Sequence, residues 1–147
     1  MHPRGSLSST SMAARSDATR SLLPLVLIVE DDPETRQFYS RTFESAGFRT
    51  AQAHNGHQAL EKAFDVLPDL IVADIAIPGM DGIELCRRLR TDARAQAVPV
   101  LAITGYGDRD YEDRARAAGA DQVLIKPCAA DLLVDHARRL VAVRVGR

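Results

Sequence analysis

The sequence predicts an α/β fold: a single domain with a five-stranded parallel sheet and helices on both of its faces. Five short apolar runs alternate with segments of helical periodicity, and the connections between them are short. The first run, Leu25 to Val29, is fully apolar and rich in β-branched residues, which is typical of a strand covered on both faces. The length of 147 residues fits one domain.

The elements follow in chain order. The first helix is predicted to begin at Pro33, with Asp32 as its cap, and to stop at Gly47. Residues 1–22 are rich in Ser, Thr, Ala and Arg, so we expect a disordered tail before a domain at 23–147, although a transit peptide would share this composition. The other predicted strands are 48–53, 70–73, 98–103 and 123–125, and the other predicted helices are 56–67, 82–90, 108–118 and 131–143.

Composition and charge narrow the class of function. The net charge is -1, which disfavours a general binder of nucleic acid or of membrane surfaces. No apolar run reaches the roughly 20 residues that a membrane-spanning helix needs. Cys86 and Cys128 fit no metal or redox spacing. We therefore expect a cytoplasmic protein with reduced thiols that contacts neither nucleic acid nor membranes directly.

Polar side chains follow four of the five predicted strands. Glu30 and Asp31 follow the first, Asp74 the third, Thr104 the fourth and Lys126 the fifth. Ligands of open parallel sheets bind beyond the carboxyl ends of the strands, so we expect these groups to converge. Clustered carboxylates need a cation or a proton, and oxygen ligands favour Mg²⁺. A carboxylate nucleophile with a metal, a hydroxyl and an ammonium predicts phosphoryl transfer.

Four motifs stand at these strand ends. They are VLIVEDD at 26–32, DLIVADIAIPGMDG at 69–82, IT at 103–104 and LIKP at 124–127. Together they resemble the receiver domain of bacterial two-component response regulators over about residues 25–143, and the segment from Asp74 to Gly82 is the most specific of them. The resemblance implies a flavodoxin-like fold with the strand order 2-1-3-4-5.

The resemblance also implies roles for the acidic residues. Asp74 would accept a phosphoryl group from a histidine kinase or a histidine phosphotransfer protein. Glu30 and Asp31 match the acidic metal-site pair of the family. The resemblance therefore implies a Mg²⁺ site that comprises Glu30, Asp31, Asp74 and the backbone carbonyl of Ala76.

A second group of residues would report the phosphorylation state. Thr104 and Lys126 match the switch hydroxyl and the phosphate-binding lysine of the family, and the bond between Lys126 and Pro127 is expected to be cis. Val123 stands where the family often has an aromatic ring that rotates inward on activation, so the usual readout is in question. Tyr106, two residues after Thr104, is hypothesised to screen the phosphoryl group from water.

Three other functions are compatible with an α/β fold of this size. A dinucleotide-binding domain needs Gly-x-Gly-x-x-Gly after its first strand, whereas residues 30–34 read Glu-Asp-Asp-Pro-Glu and would repel a pyrophosphate. A phosphatase with an aspartate nucleophile commonly needs a second acid where this chain has Ala76. A degenerate receiver that acts as a phosphorylation-independent interaction module remains the alternative, because Val123 departs from the family pattern.

The C-terminal part of the sequence indicates how the protein would pass on a signal. After the last predicted helix only residues 144–147 follow, so we expect no output domain in this sequence. We expect a phosphoacceptor signalling protein rather than an enzyme, which acts on a downstream protein target or as a homodimer. By family resemblance, the helices predicted at 108–118 and 131–143 would form the interaction face.

Overall fold

Strands and helices alternate along the chain in a computed structural model that describes residues 22–76, 79–105 and 109–145. The strands are β1 (Leu25–Val29), β2 (Arg49–Ala53), β3 (Leu70–Asp74), β4 (Val100–Thr104) and β5 (Gln122–Ile125). The helices between and after them are α1 (Pro33–Ser45), α2 (Gly56–Val66), α3 (Gly82–Thr91), α4 (Arg109–Ala117) and α5 (Ala130–Val145).

The five strands form one parallel sheet in the order β2-β1-β3-β4-β5, which confirms the predicted topology. Val29, near the carboxyl end of β1, pairs with Ala73 of β3, and Asp74 pairs with Ile103 of β4. Thr104 pairs with Ile125 at the end of β5. The residues that follow these strands are therefore brought to the same edge of the sheet.

The core has two layers, one on each face of the sheet. On one face, Leu27 and Val29 of β1 pack in a cluster with residues of α2, α3 and α4. On the other face, Val26 and Ile28 pack in a cluster with residues of α1 and α5. Successive side chains of a strand point to opposite faces, so a strand covered on both faces must be apolar throughout. This explains the unbroken apolar run of β1.

The ends of the elements follow local chemistry, with small departures from the prediction. The predicted cap is confirmed, since the Asp32 side chain accepts a hydrogen bond from the Thr35 amide at 2.9 Å. Gly47 follows α1 with a φ of 95°. α2 is one residue shorter than predicted because Leu67 adopts a left-handed conformation as its cap. β4 begins at Val100 rather than at residue 98, and the preceding Pro99 has no N–H to donate to a ladder.

Several sequence-based expectations lie outside the described residues. Of the predicted tail at 1–22, only Leu22 is described, and Tyr106 and Pro78 are not. Within the part of the chain that is described, no helix combines the length and the apolar character required to span a membrane.

Candidate functional site

The acidic turn after β1 contains one buried and one exposed carboxylate. Glu30 is 2% exposed, whereas Asp31 is exposed to solvent. The Glu30 amide continues the ladder by donating to the Ala53 carbonyl at 3.0 Å, and the Asp32 amide donates to Oε2 of Glu30 at 3.2 Å. The end of the strand and the start of α1 thus fix the position of the Glu30 side chain.

Asp74 is the last residue of β3 and lies almost completely buried. Its Oδ1 accepts a hydrogen bond from the Ala76 amide at 2.9 Å. Its Oδ2 accepts one from Nζ of Lys126 at 2.7 Å. Both carboxylate oxygens are thereby oriented by groups at the same edge of the sheet.

Lys126 links the two buried carboxylates. Its Nζ lies 2.7 Å from Asp74 Oδ2 and 3.4 Å from Glu30 Oε1. Partial burial lowers the pKa of Lys126, but the hydrogen bond to Asp74 and the charges of Asp74 and Glu30 outweigh it and raise that pKa. Lys126 therefore remains protonated at neutral pH and supplies one positive charge to two carboxylates.

The negative charge of the second carboxylate, Glu30, is not fully balanced by nearby positive charge. Burial, a hydrogen bond with the Asp31 side chain and the charge of Asp74 raise the pKa of Glu30 from 4.5 to about 7. The Asp32 amide and Lys126 act in the opposite direction. Glu30 therefore carries a proton for part of the time at neutral pH unless a further cation enters the site.

The loops after β4 and β5 complete the edge. Thr104 is the last residue of β4 and is 6% exposed, and its carbonyl accepts a hydrogen bond from the Lys126 amide at 2.7 Å. The peptide bond between Lys126 and Pro127 is cis, as predicted. Val123 is buried in the core cluster that faces α2, α3 and α4, below this edge.

A cavity of about 350 Å³ opens beside Asp74. It brings Asp74, Thr104 and Lys126 together, whereas Glu30 does not line the cavity and is connected to Asp74 through Lys126. A cavity of this size can admit a phosphoryl group. The lining residues are Asp74, Ile75, Ala76, Asp81, Thr104, Gly105, Tyr111 and Lys126.

Two polar residues of the lining, Asp81 and Tyr111, are not among the site residues predicted from the sequence. Asp81 caps α3, and its Oδ1 accepts a hydrogen bond from the Glu84 amide at 2.8 Å. It lies within the motif at 69–82, so proximity to Asp74 in sequence was an available signal. Tyr111 belongs to α4 and is 41% exposed. Its position depends on how α4 is rotated against the sheet, which the sequence pattern does not reveal.

The oxygen donors at this edge of the sheet are of the type that binds a hard cation. Among the described residues, no group of three or more His, Cys, Asp or Glu side chains could hold a metal ion by itself. Mg²⁺ commonly takes one or two carboxylates and completes its shell with water, carbonyl and phosphate oxygens. Asp74 and Ala76 of the cavity lining carry oxygen donors, and the pKa of the neighbouring Glu30 carboxylate is raised for lack of positive charge, so the chemistry of this edge fits such an ion.

Comparisons with known proteins agree with this geometry. The family model of the response regulator receiver domain matches residues 26–138. The chemotaxis response regulator CheY4 of Vibrio cholerae is 30% identical, with a TM-score of 0.76 over 80% of this chain and 98% of that one. The signal receiver domain of a histidine kinase from Syntrophus aciditrophicus is 34% identical, with a TM-score of 0.76 over 81% of this chain and 90% of that one.

Curated relatives include short and long proteins. The polar-differentiation response regulator DivK of Brucella anthropi is 31% identical over 75% of this chain and 89% of its own length. The DNA-binding dual master transcriptional regulator RpaA of Synechocystis is 34% identical over 81% of this chain. The chain spans only 49% of the length of RpaA. Sequence and fold agree, and the chain belongs to the response regulator receiver domain family.

Proposed function

We propose that this receiver domain accepts a phosphoryl group on Asp74 from a phosphohistidine donor, in a Mg²⁺-dependent reaction that switches a protein-interaction surface. The observation that carries this proposal is the position of Asp74, which lines a cavity of about 350 Å³ with Thr104 while its Oδ2 lies 2.7 Å from Nζ of Lys126. A carboxylate nucleophile, a hydroxyl and an ammonium around one cavity are the groups that phosphoryl transfer requires.

The cation would be held by the side chains of Glu30, Asp31 and Asp74 and by the carbonyl of Ala76. Mg²⁺ bound there would neutralise charge on the phosphoryl oxygens and bring the donor phosphate close to the carboxylate. Its arrival would also favour loss of the proton from Glu30, because a second positive charge then compensates the buried carboxylate.

The chain's own groups act on the phosphoryl group in order. An oxygen of Asp74 forms the new O–P bond as the P–N bond to the donor histidine breaks, and the electron pair of that bond stays on the imidazole. Lys126 then pairs with a phosphoryl oxygen, and the Thr104 hydroxyl donates a hydrogen bond to another. The Ala76 amide orients Asp74 by donating to Oδ1 at 2.9 Å.

Labelling with a small phosphodonor tests the proposal directly. The wild type incubated with phosphoramidate and Mg²⁺ is expected to gain one phosphoryl group by intact-protein mass spectrometry, and chelation of Mg²⁺ should prevent the gain. Asp74→Asn should remain unlabelled. Asp65→Asn, which alters an exposed carboxylate of α2, is the matched control and should be labelled normally. Absence of labelling in the wild type would refute the proposal.

The second candidate function is a phosphorylation-independent interaction module. Val123 favours it, because a buried valine in β5 has no ring that could rotate toward Thr104. In either case, we propose output through a protein target or a second copy of the chain, with a histidine kinase or a histidine phosphotransfer protein as the upstream partner. Binding of the same target by the wild type and by Asp74→Asn, with and without phosphoramidate, separates the two functions.

A further inference from the structure

Arg36 contacts the backbone of the acidic turn that follows β1. It lies in the first turn of α1 and is half-buried. Its Nη1 donates to the Glu30 carbonyl at 2.8 Å and reaches the Asp31 carbonyl at 3.4 Å. One guanidinium therefore ties together the backbone of the two residues whose side chains are proposed as cation ligands.

The other edge of the same guanidinium is also held. Nε of Arg36 donates to Oε1 of Gln52 on the edge strand β2 at 3.2 Å. The Gln52 amide nitrogen donates in turn to Oγ of Ser40 at 2.8 Å, and Ser40 is 1% exposed. The Gln52 carbonyl accepts a hydrogen bond from Nζ of Lys62. A polar network thus runs from α2 and β2 through Arg36 to the acidic turn.

Arg36 donates to backbone carbonyls of the acidic turn and not to its carboxylates, which is compatible with metal binding by those carboxylates. An arginine that paired with the carboxylates of Glu30 or Asp31 would compete with a metal ion for them. Arg36 instead binds the backbone oxygens of these residues, so it orients the turn without occupying the two carboxylates. Its planar fork suits the task, because separate N–H groups reach the turn and Gln52 at once.

We propose that Arg36 is a positioning residue for the divalent cation: it fixes the turn at Glu30 and Asp31 so that the site binds Mg²⁺ tightly. This inference rests on the proposed function, which supplies the cation site. Groups that orient metal ligands from behind typically change metal affinity by 10–100-fold when they are removed. Since Arg36 acts on the backbone, we expect an effect of about tenfold, at the lower end of that range.

A titration with MgCl₂, followed by the amide NMR signals of the unphosphorylated protein, measures this effect without any phosphorylation step. Arg36→Ala is expected to raise the Kd for Mg²⁺ by about tenfold. Arg36→Lys should raise it less, because an ammonium can bind the carbonyls but cannot also hold Gln52. Gln52→Ala, which frees the guanidinium, should give a smaller shift in the same direction. Arg41→Ala removes an exposed arginine of the same helix and should leave the Kd unchanged.

Thermal unfolding separates positioning from a general contribution to stability. If Arg36 only stabilises the fold, Arg36→Ala lowers Tm equally with and without Mg²⁺, and the inference is wrong. If Arg36 positions the site, the increase in Tm that Mg²⁺ causes in the wild type is reduced in the variant.

The outcomes also separate this inference from the proposed function. A wild type that binds no Mg²⁺ overturns both. A wild type that binds Mg²⁺, together with unchanged Kd values in Arg36→Ala, overturns the positioning role alone. Should Arg36→Ala fail to fold, Arg36→Lys and Gln52→Ala decide the question, and wild-type affinity in both of them overturns the inference.

Discussion

The two ends of the parallel sheet hold charge in contrasting ways. At the amino end, Arg90 of α3 donates to the Gly119 carbonyl through Nε and Nη2 at 3.1 and 2.7 Å, and to the Val98 carbonyl at 2.6 Å. Its Nη2 also lies 2.9 Å from Oδ2 of Asp121, which accepts the Val100 amide at 2.8 Å. The one charge of Arg90 meets one carboxylate, and its N–H groups bind the loops before β4 and β5.

At the carboxyl end the balance is different. The single ammonium of Lys126 faces the buried carboxylates of Asp74 and Glu30, and the pKa of Glu30 is raised to about 7. Perturbed pKa values of this kind concentrate at functional sites. At the amino end, the charge of Arg90 is paired and stabilises two loops, whereas the carboxyl end is left short of positive charge. A shortage of positive charge favours the binding of a cation, as proposed for this site.

Removal of the Lys126 ammonium should have the largest effect of the substitutions considered, because it takes away the positive charge at the carboxyl end of the sheet. Lys126→Ala removes the group that neutralises Asp74 and would pair with the phosphoryl oxygens, so the rate of phosphorylation by phosphoramidate at saturating Mg²⁺ should fall by about 100-fold or more. Intact-protein mass spectrometry over time gives the rate. Arg139→Ala, an exposed charge on α5, is the control and should keep the wild-type rate. A Lys126→Ala rate within twofold of the wild type would contradict the assignment.

Removal of the Arg90 guanidinium should instead disrupt the contacts at the amino end of the sheet. Arg90→Ala is expected to lower the free energy of unfolding by about 3 kcal/mol, because several carbonyls and the Asp121 carboxylate lose their donor. Urea denaturation measures this change. Arg87→Ala, on the same helix but with a side chain that is 58% exposed, should change stability by less than about 0.5 kcal/mol. Folded Arg90→Ala should still be phosphorylated. Loss of labelling would show that phosphorylation at the carboxyl end depends on the contacts of Arg90 at the amino end.

The charge deficit at the carboxyl end predicts a dependence of stability on pH. Without divalent cations, the pKa of Glu30 is about 7 in the folded state and ordinarily 4.5, so the folded state binds the proton more tightly. The resulting stabilisation is complete below the ordinary value and is lost as the pH rises through about 7. Urea unfolding between about pH 5 and pH 8 should show a loss on the order of 2 kcal/mol.

Glu30→Gln supplies the comparison for that measurement. The glutamine side chain does not titrate, so the contribution of this residue to the pH dependence of the free energy of unfolding should be absent from the variant between about pH 5 and pH 8. An equal dependence in the wild type and in Glu30→Gln would mean that Glu30 is not the titrating group.

The smallest effect is expected at the mouth of the cavity. Tyr111→Ala should open the cavity to water and speed the loss of the phosphoryl group by a factor of about 2 to 5, on the order of 1 kcal/mol or less. The decay of labelled protein after removal of the donor measures this rate. Leu132→Ala, which alters an exposed apolar side chain on α5, is the control. Tyr106→Ala tests the sequence-based hypothesis in the same assay, and an unchanged rate there would exclude Tyr106 as the screen.

The sequence by itself determined the elements and the chemical inventory of the site. β1 is read from an unbroken apolar run, and Asp32 and Gly47 mark the ends of α1 through local chemistry. Glu30, Asp74 and Lys126 were found because each directly follows a predicted strand, and the edge of a parallel sheet collects such residues. The strand order came from the resemblance to receiver domains, since periodicity alone does not specify which strands are neighbours.

Only the tertiary structure decided how the charges are paired. Lys126 lies closer to Asp74 than to Glu30, at 2.7 against 3.4 Å, although it is separated from them by 52 and 96 positions. Arg36 binds carbonyls and Arg90 closes two loops, yet both are ordinary helix arginines in sequence. The physical reason is that periodicity and capping are local, whereas the partner of a charged side chain depends on how helices are rotated and packed against the sheet.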